Sequence, residues 1–122
     1  MRAELAAFMA EQAPRSVYFR EVPGEFLAWA AFSPSSSIRV RAWSFDEAER
    51  IDEAFFARRI AAALRLRERL AIRSNGVRLV HGEADGLPGL IVDRYGDLLV
   101  AQFLSSGTEK WKSVIADALL SA

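Results

Sequence analysis

The residues best equipped for chemistry stand close together, in the run His81-Gly82-Glu83-Ala84-Asp85-Gly86. An imidazole that titrates near neutral pH, followed by carboxylates at alternate positions, could ligate a cation or exchange protons. The same residues could instead serve turns, because short carboxylates next to glycines accept backbone N–H groups. Three ligands drawn from five consecutive residues need an unusual loop, so the turn reading is preferred. No residue is assigned a catalytic, cofactor-binding or metal-ligating role. The chain has no cysteine, which excludes disulfides, thiolate metal sites and a thiol nucleophile. It also lacks a P-loop, a G-x-G-x-x-G turn and a nucleophile elbow.

A second chemistry is phosphate recognition. Ile38-Arg39-Val40-Arg41-Ala42-Trp43 alternates strictly, so a strand here turns Ile38, Val40 and Ala42 to one face and Arg39, Arg41 and Trp43 to the other. Guanidinium groups pair with phosphates and an indole stacks on bases. Further along, Arg58, Arg65 and Arg69 fall within about 40° of one another on a helix. The candidate RNA contacts are therefore Arg39, Arg41, Trp43, Arg58, Arg65 and Arg69. The competing reading is a solvated surface with solubilising arginines.

These residues need elements to position them. Ala3–Ala13 has helical spacing and ends before Pro14. Ser16–Arg20 and Glu25–Phe32 read as strands separated by the Pro23-Gly24 turn. The long helix begins at Asp52, a good N-cap, and runs from Glu53 to about Arg73. Its apolar face carries Phe56, Ile60, Ala63, Leu64, Leu70 and Ala71, and Arg67 falls within that face, where it must snorkel or pair with a carboxylate. Ser74-Asn75-Gly76 is the expected helix stop, with Asn75 or Gly76 in the left-handed conformation. Val77–Val80 is a short strand. Leu90–Val92 and Leu98–Phe103 form a hairpin around Asp93–Asp97, with Gly96 suited to a type I turn and G1 bulge. Both hairpin strands are mostly apolar, so the pair is buried on both faces or lies central in a sheet. Ser106-Gly107-Thr108-Glu109 reads as a capping box for a last helix packed through Trp111, Val114, Ile115, Ala118 and Leu119. The glycines and proline of the loop, Gly82, Gly86, Pro88, Gly89 and Gly96, are assigned to turn formation. The fold class is α+β.

The 122 residues are 52% hydrophobic and 26% charged, the make-up of a soluble globular chain. Net charge is zero, so no overall field draws nucleic acid. The distribution is uneven: Arg58–Arg78 holds seven arginines against Glu68 alone. No apolar run approaches the roughly 20 residues of a membrane span. The N-terminus does not read as a signal peptide, so cytoplasm is expected, with neither a membrane nor a metal as partner.

The stretch Gly82-Glu83-Ala84-Asp85-Gly86-Leu87-Pro88-Gly89-Leu90-Ile91-Val92-Asp93-Arg94-Tyr95-Gly96 resembles the signature segment of the bacterial 23S rRNA (cytosine-5) methyltransferase I family. Upstream, Phe32-Ser33-Pro34, Ile38–Asp46, Ile51-Asp52, Phe55-Phe56 and Arg58-Arg59 agree in order and spacing, so the likeness runs from about Gly24 to Ala122. Trp29-Ala30 stands where the family usually has Arg-Gly, and Phe32 where it has tyrosine. The resemblance implies an RNA-binding PUA domain, a central α+β domain and a methyltransferase domain that holds S-adenosylmethionine and the catalytic cysteine. On that scheme residues 1–22 are an atypical N-terminal helix and strand, and 23–50 are strands of a partial PUA-like barrel. Residues 51–75 are then a connecting helix, and 76–122 begin the central domain with a hairpin-containing sheet and a C-terminal helix. The chain would be a fragment, truncated at both ends, that binds ribosomal RNA without catalysis and without a cofactor of its own. An alternative is a small interaction module that homodimerises through the apolar hairpin or the last helix.

Overall fold

The computed structural model describes residues 25–122, together with the backbone of the strand Val17–Glu21. The helix expected over Ala3–Ala13 lies outside the described residues. The architecture is α+β, with two antiparallel three-stranded sheets and helices packed between and beside them. The first sheet has the order β1 (Val17–Glu21), β2 (Glu25–Phe32) and β3 (Val40–Ser44). The second has the order β4 (Gly76–His81), β5 (Leu90–Tyr95) and β6 (Leu98–Phe103).

Between the sheets runs α1 (Glu53–Leu70), whose N-cap Asp52 accepts from the Phe55 N–H at 3.0 Å. It buries Phe55, Phe56, Ile60 and Ala63. The helix stops sooner than its sequence predicts. Ala71 takes the left-handed conformation at φ 49°, and its N–H donates to the Glu68 carbonyl. Gly76 is thereby released to begin β4. Leu70, expected on the apolar face, is 61% exposed.

The chain closes with α2 (Ser106–Lys110) and α3 (Lys112–Ser121), separated at Trp111. The capping box is one residue earlier than expected. Ser105 is the N-cap, and it exchanges hydrogen bonds with Thr108.

One hydrophobic cluster spans the molecule. Ala31 and Trp43 of the first sheet meet Phe55 and Phe56 of α1, Val80, Leu90 and Val92 of the second sheet, and Trp111 and Ile115 of the last helices. Each fully buried Phe, Val, Leu or Ile side chain among them contributes on the order of 1.5–3 kcal/mol relative to exposure. Gly107 lets α2 approach the first sheet, because a Cβ there would lie 2.8 Å from Trp43 Cζ2.

Two irregularities set the faces. Trp29 pairs with Ser44 and Ala30 with Ala42, so Trp43 is the extra residue of a bulge. Arg78 pairs with Asp93 and Val80 with Val92, so Leu79 is the extra residue in β4, and Leu79 and Val80 are both buried. The β5–β6 register pairs Tyr95 with Leu98, leaving the two-residue loop Gly96-Asp97. Positive φ occurs at Gly96 alone, the pattern of a II′ turn rather than the expected type I turn with a bulge. Burial on both faces holds only for the inner part of β5. Strand β6 lies at the sheet edge, and Leu98 (63%), Leu99 and Val100 are exposed, because only β5 has a neighbour on each side.

Candidate nucleic-acid interface

The loop carboxylates are each engaged by an arginine. Asp85 closes the single-turn 3₁₀ helix Gly82–Asp85 and meets Arg67 of α1 in a two-pronged pair, Nη1 to Oδ1 at 2.5 Å and Nη2 to Oδ2 at 2.8 Å. The His81 backbone N–H donates to Asp85 Oδ2 at 2.6 Å. Burial acts to raise the Asp85 carboxyl pKa. The Arg67 hydrogen bond, the His81 N–H and the Arg67 charge outweigh it and hold the group below its ordinary value. Arg78 and Asp93, directly opposite on β4 and β5, pair at 2.8 and 3.1 Å. The Arg78 hydrogen bond holds the Asp93 carboxyl low, against a smaller opposing effect of burial. Glu83 receives Arg41 Nη1 from β3 at 2.8 Å. His81 Nδ1 lies 3.5 Å from Arg78 Nη1, so the His81, Glu83 and Asp85 run is spread over three arginine contacts. Among the described residues no three metal-ligating side chains converge. The turn glycines take left-handed φ at Gly82, Gly86, Gly89 and Gly96, while Pro88 is buried between them.

The candidate RNA residues divide into groups. Arg39 and Arg41 line a cleft of about 340 Å³ together with Ser33, Ser36 and Ser106. Arg41 also lines a second cleft of about 500 Å³ with Arg59, Glu83 and Gly86. Arg58 is tied to Glu49 at 3.3 Å. Glu49 is held low first by a hydrogen bond from Ser44, against burial, with further lowering from Arg58 and Arg59. Arg65 and Arg69 are exposed and form no ion pair among the described residues.

Trp43 requires a correction. It does not share the outer face of Arg39 and Arg41 but is 3% exposed, packed edge-to-face on Phe55 and Phe56 at 6.2 and 5.4 Å. The bulge interrupts the period-2 alternation and turns the indole inward, where it has no face to offer a base. Arg59 is the cation the sequence reading passed over. Its guanidinium carbon lies 5.0 Å from the Phe55 ring centroid, an i, i+4 pair visible in the sequence. The serines of the first cleft carry no local signal, since Ser33 and Ser106 meet only through the tertiary fold.

No family model matches the chain. Curated relatives do. It is 51% identical over 98 residues to "Ribosomal RNA large subunit methyltransferase I" of Erwinia tasmaniensis, covering 79% of this chain and 25% of that protein. The protein of the same name from Escherichia coli is 48% identical over 98 residues, with the same coverage. What the chain resembles is one quarter of a ribosomal RNA large subunit methyltransferase I. Among solved structures, a candidate SAM-dependent methyltransferase from Streptococcus mutans superposes with a TM-score of 0.76 at 19% identity, covering 88% of this chain and 29% of that one. A second candidate methyltransferase, complexed with SAH, gives 0.75 at 18% identity. These two establish a shared fold. The chain spans about a quarter of the length of the curated relatives it matches.

The carboxylates of the loop and of β5 are not free to hold the ribose of S-adenosylmethionine. A nucleoside cofactor of this kind takes a free carboxylate for its ribose hydroxyls and a glycine-rich turn between a parallel strand and a helix. Here both sheets are antiparallel, and Glu83, Asp85 and Asp93 are each occupied by an arginine. No described helix is long and apolar enough to cross a membrane.

Proposed function

We propose that this chain is a non-catalytic, RNA-positioning part of an S-adenosylmethionine-dependent methyltransferase that modifies a cytosine C5 in 23S rRNA in the cytoplasm. The observation that carries this reading is identity near 50% to ribosomal RNA large subunit methyltransferases I over about four fifths of the chain. The chemistry agrees with it. Arg39, Arg65 and Arg69 form no ion pair among the described residues, and guanidinium groups in that state are suited to phosphate. In this reading residues 23–50 are PUA-like strands, 51–75 connect, 76–122 open the central domain, and the methyl donor binds elsewhere in the enzyme.

Filter binding with looped and helical rRNA fragments tests the proposal. Salt-sensitive binding is expected, and the triple substitution R58E/R65E/R69E should abolish it. Absence of binding at low salt overturns the RNA role, and an unchanged affinity in the triple variant removes the Arg58, Arg65 and Arg69 face from it. Calorimetry that found micromolar S-adenosylmethionine binding to this chain would overturn the non-catalytic assignment.

A second reading is self-association, favoured by one observation: among the described residues β6 is an edge strand with Leu98, Leu99 and Val100 exposed. Sedimentation decides it, and a monomer at high concentration removes it.

A further inference from the structure

We propose that the cleft between β3 and Ser106 binds one RNA nucleotide through its phosphodiester, with Glu83 holding Arg41 in reserve until the phosphate arrives. The inference rests on the RNA-positioning reading and gives it a specific site. The cleft's polar wall consists mainly of donors. Arg39 has five N–H groups and forms no ion pair among the described residues, and Arg41 has only its Nη1 contact to Glu83. Ser33 Oγ and Ser106 Oγ lie 2.8 Å apart. One hydroxyl donates to the other, so one proton of the pair is left to donate into the cleft. Ser36 Oγ accepts from the Ile38 N–H at 3.2 Å, and its own proton is likewise free to donate.

The single carboxylate on the wall, Glu109, is paired with Lys112 at 3.4 Å. A phosphomonoester carries about −1.5 to −2 at neutral pH and needs more positive charge than the cleft offers. A phosphodiester carries one charge and two non-bridging oxygens, which two guanidinium groups and two hydroxyls can satisfy. Phe103 and Leu104 supply an apolar wall beside the donors, of the kind on which a base can pack. The cleft volume, about 340 Å³, suits one nucleotide rather than a folded helix of RNA.

The Arg41–Glu83 bond ties β3 to the loop, and it competes with a phosphate for the Arg41 guanidinium. It is a solvated pair, with side chains 28% and 66% exposed, so releasing it costs little.

The experiment is fluorescence anisotropy of a labelled ten-nucleotide single-stranded RNA at low salt, using the full chain. A parallel NMR titration with inorganic phosphate follows the Ser33, Ser36 and Ser106 amides. Arg39→Ala should weaken RNA binding roughly fivefold or more, and S33A/S106A by about two- to threefold. Glu83→Gln should tighten it about two- to threefold by freeing Arg41. If the wild-type chain binds RNA but these variants leave affinity unchanged while R58E/R65E/R69E abolishes it, the cleft assignment falls and the RNA role stands. Failure of the wild-type chain to bind removes both. Amide shifts produced by inorganic phosphate but not by RNA would overturn the nucleotide assignment in favour of a free-anion site.

Discussion

Arg67 of α1 and Asp85 of the signature loop form a two-pronged ion pair, with side chains only 14% and 4% exposed. It fastens the long helix to the loop, and the Arg67 Nε donation to the Arg78 carbonyl at 3.0 Å extends the clasp to β4. Breaking one side of such a pair leaves the other charge largely desolvated. Asp85→Asn or Arg67→Met should each cost about 3 kcal/mol in a urea titration. The double variant should lose less than the sum of the two, and strict additivity would mean that the two groups do not depend on each other.

The same carboxylates set an acid limit. Asp85, Asp93 and Glu49 all have folded-state pKa values below those of the unfolded chain. Their stabilising contribution is complete above the ordinary carboxylate range near pH 4 and is lost as pH falls through the depressed folded values. The melting temperature should therefore drop below about pH 4, and Asp85→Asn should make that drop shallower. A wild-type profile flat from pH 5 to pH 2.5 would contradict the pairing.

Ala71 ends α1 with a positive φ that costs an L-residue about 1–2 kcal/mol. Replacement by glycine removes that strain and returns part of the gain as unfolded-state entropy. Ala71→Gly should raise stability by about 0.5–1 kcal/mol, read from the denaturation midpoint. A loss of stability would place the helix end elsewhere.

The turn glycines should differ in their tolerance of alanine. Gly96 has φ 60° with nothing near a new Cβ, so Gly96→Ala costs only the backbone strain, about 1 kcal/mol. At Gly89, with φ 84°, a Cβ would lie 2.6 Å from Ser105 Cβ and 3.1 Å from the Ser105 nitrogen. Gly89→Ala should cost at least about 2 kcal/mol more, by the same denaturation measurement, because part of what it meets is backbone.

Trp43 offers a test that separates core from surface. Trp43→Ala should cost about 3–5 kcal/mol, whereas Trp43→Phe, which keeps an aromatic ring among Phe55 and Phe56, should fold and bind RNA as the parent does. A selective loss of RNA affinity in a well-folded Trp43→Phe variant would return the indole to the interface.

The sequence by itself determined what depends on neighbours along the chain. Asp52 and the spacing of Phe56, Ile60 and Ala63 specified α1, and apolar runs around Gly96 specified a hairpin, because caps, helical periods and turns are local geometry. Arg67 in an apolar stripe even announced that it needed a carboxylate. Only the tertiary structure decided that the carboxylate is Asp85, that Glu83 holds Arg41 and that Ser33 reaches Ser106, since each pair joins elements far apart in the chain. It also decided the fate of Trp43. Alternation assumes an unbroken strand, and the bulge that turns the indole inward is a property of how β3 pairs with β2. The exposure of β6 has the same origin: apolar composition marks a strand as able to be buried, but a strand is buried only where other elements cover it.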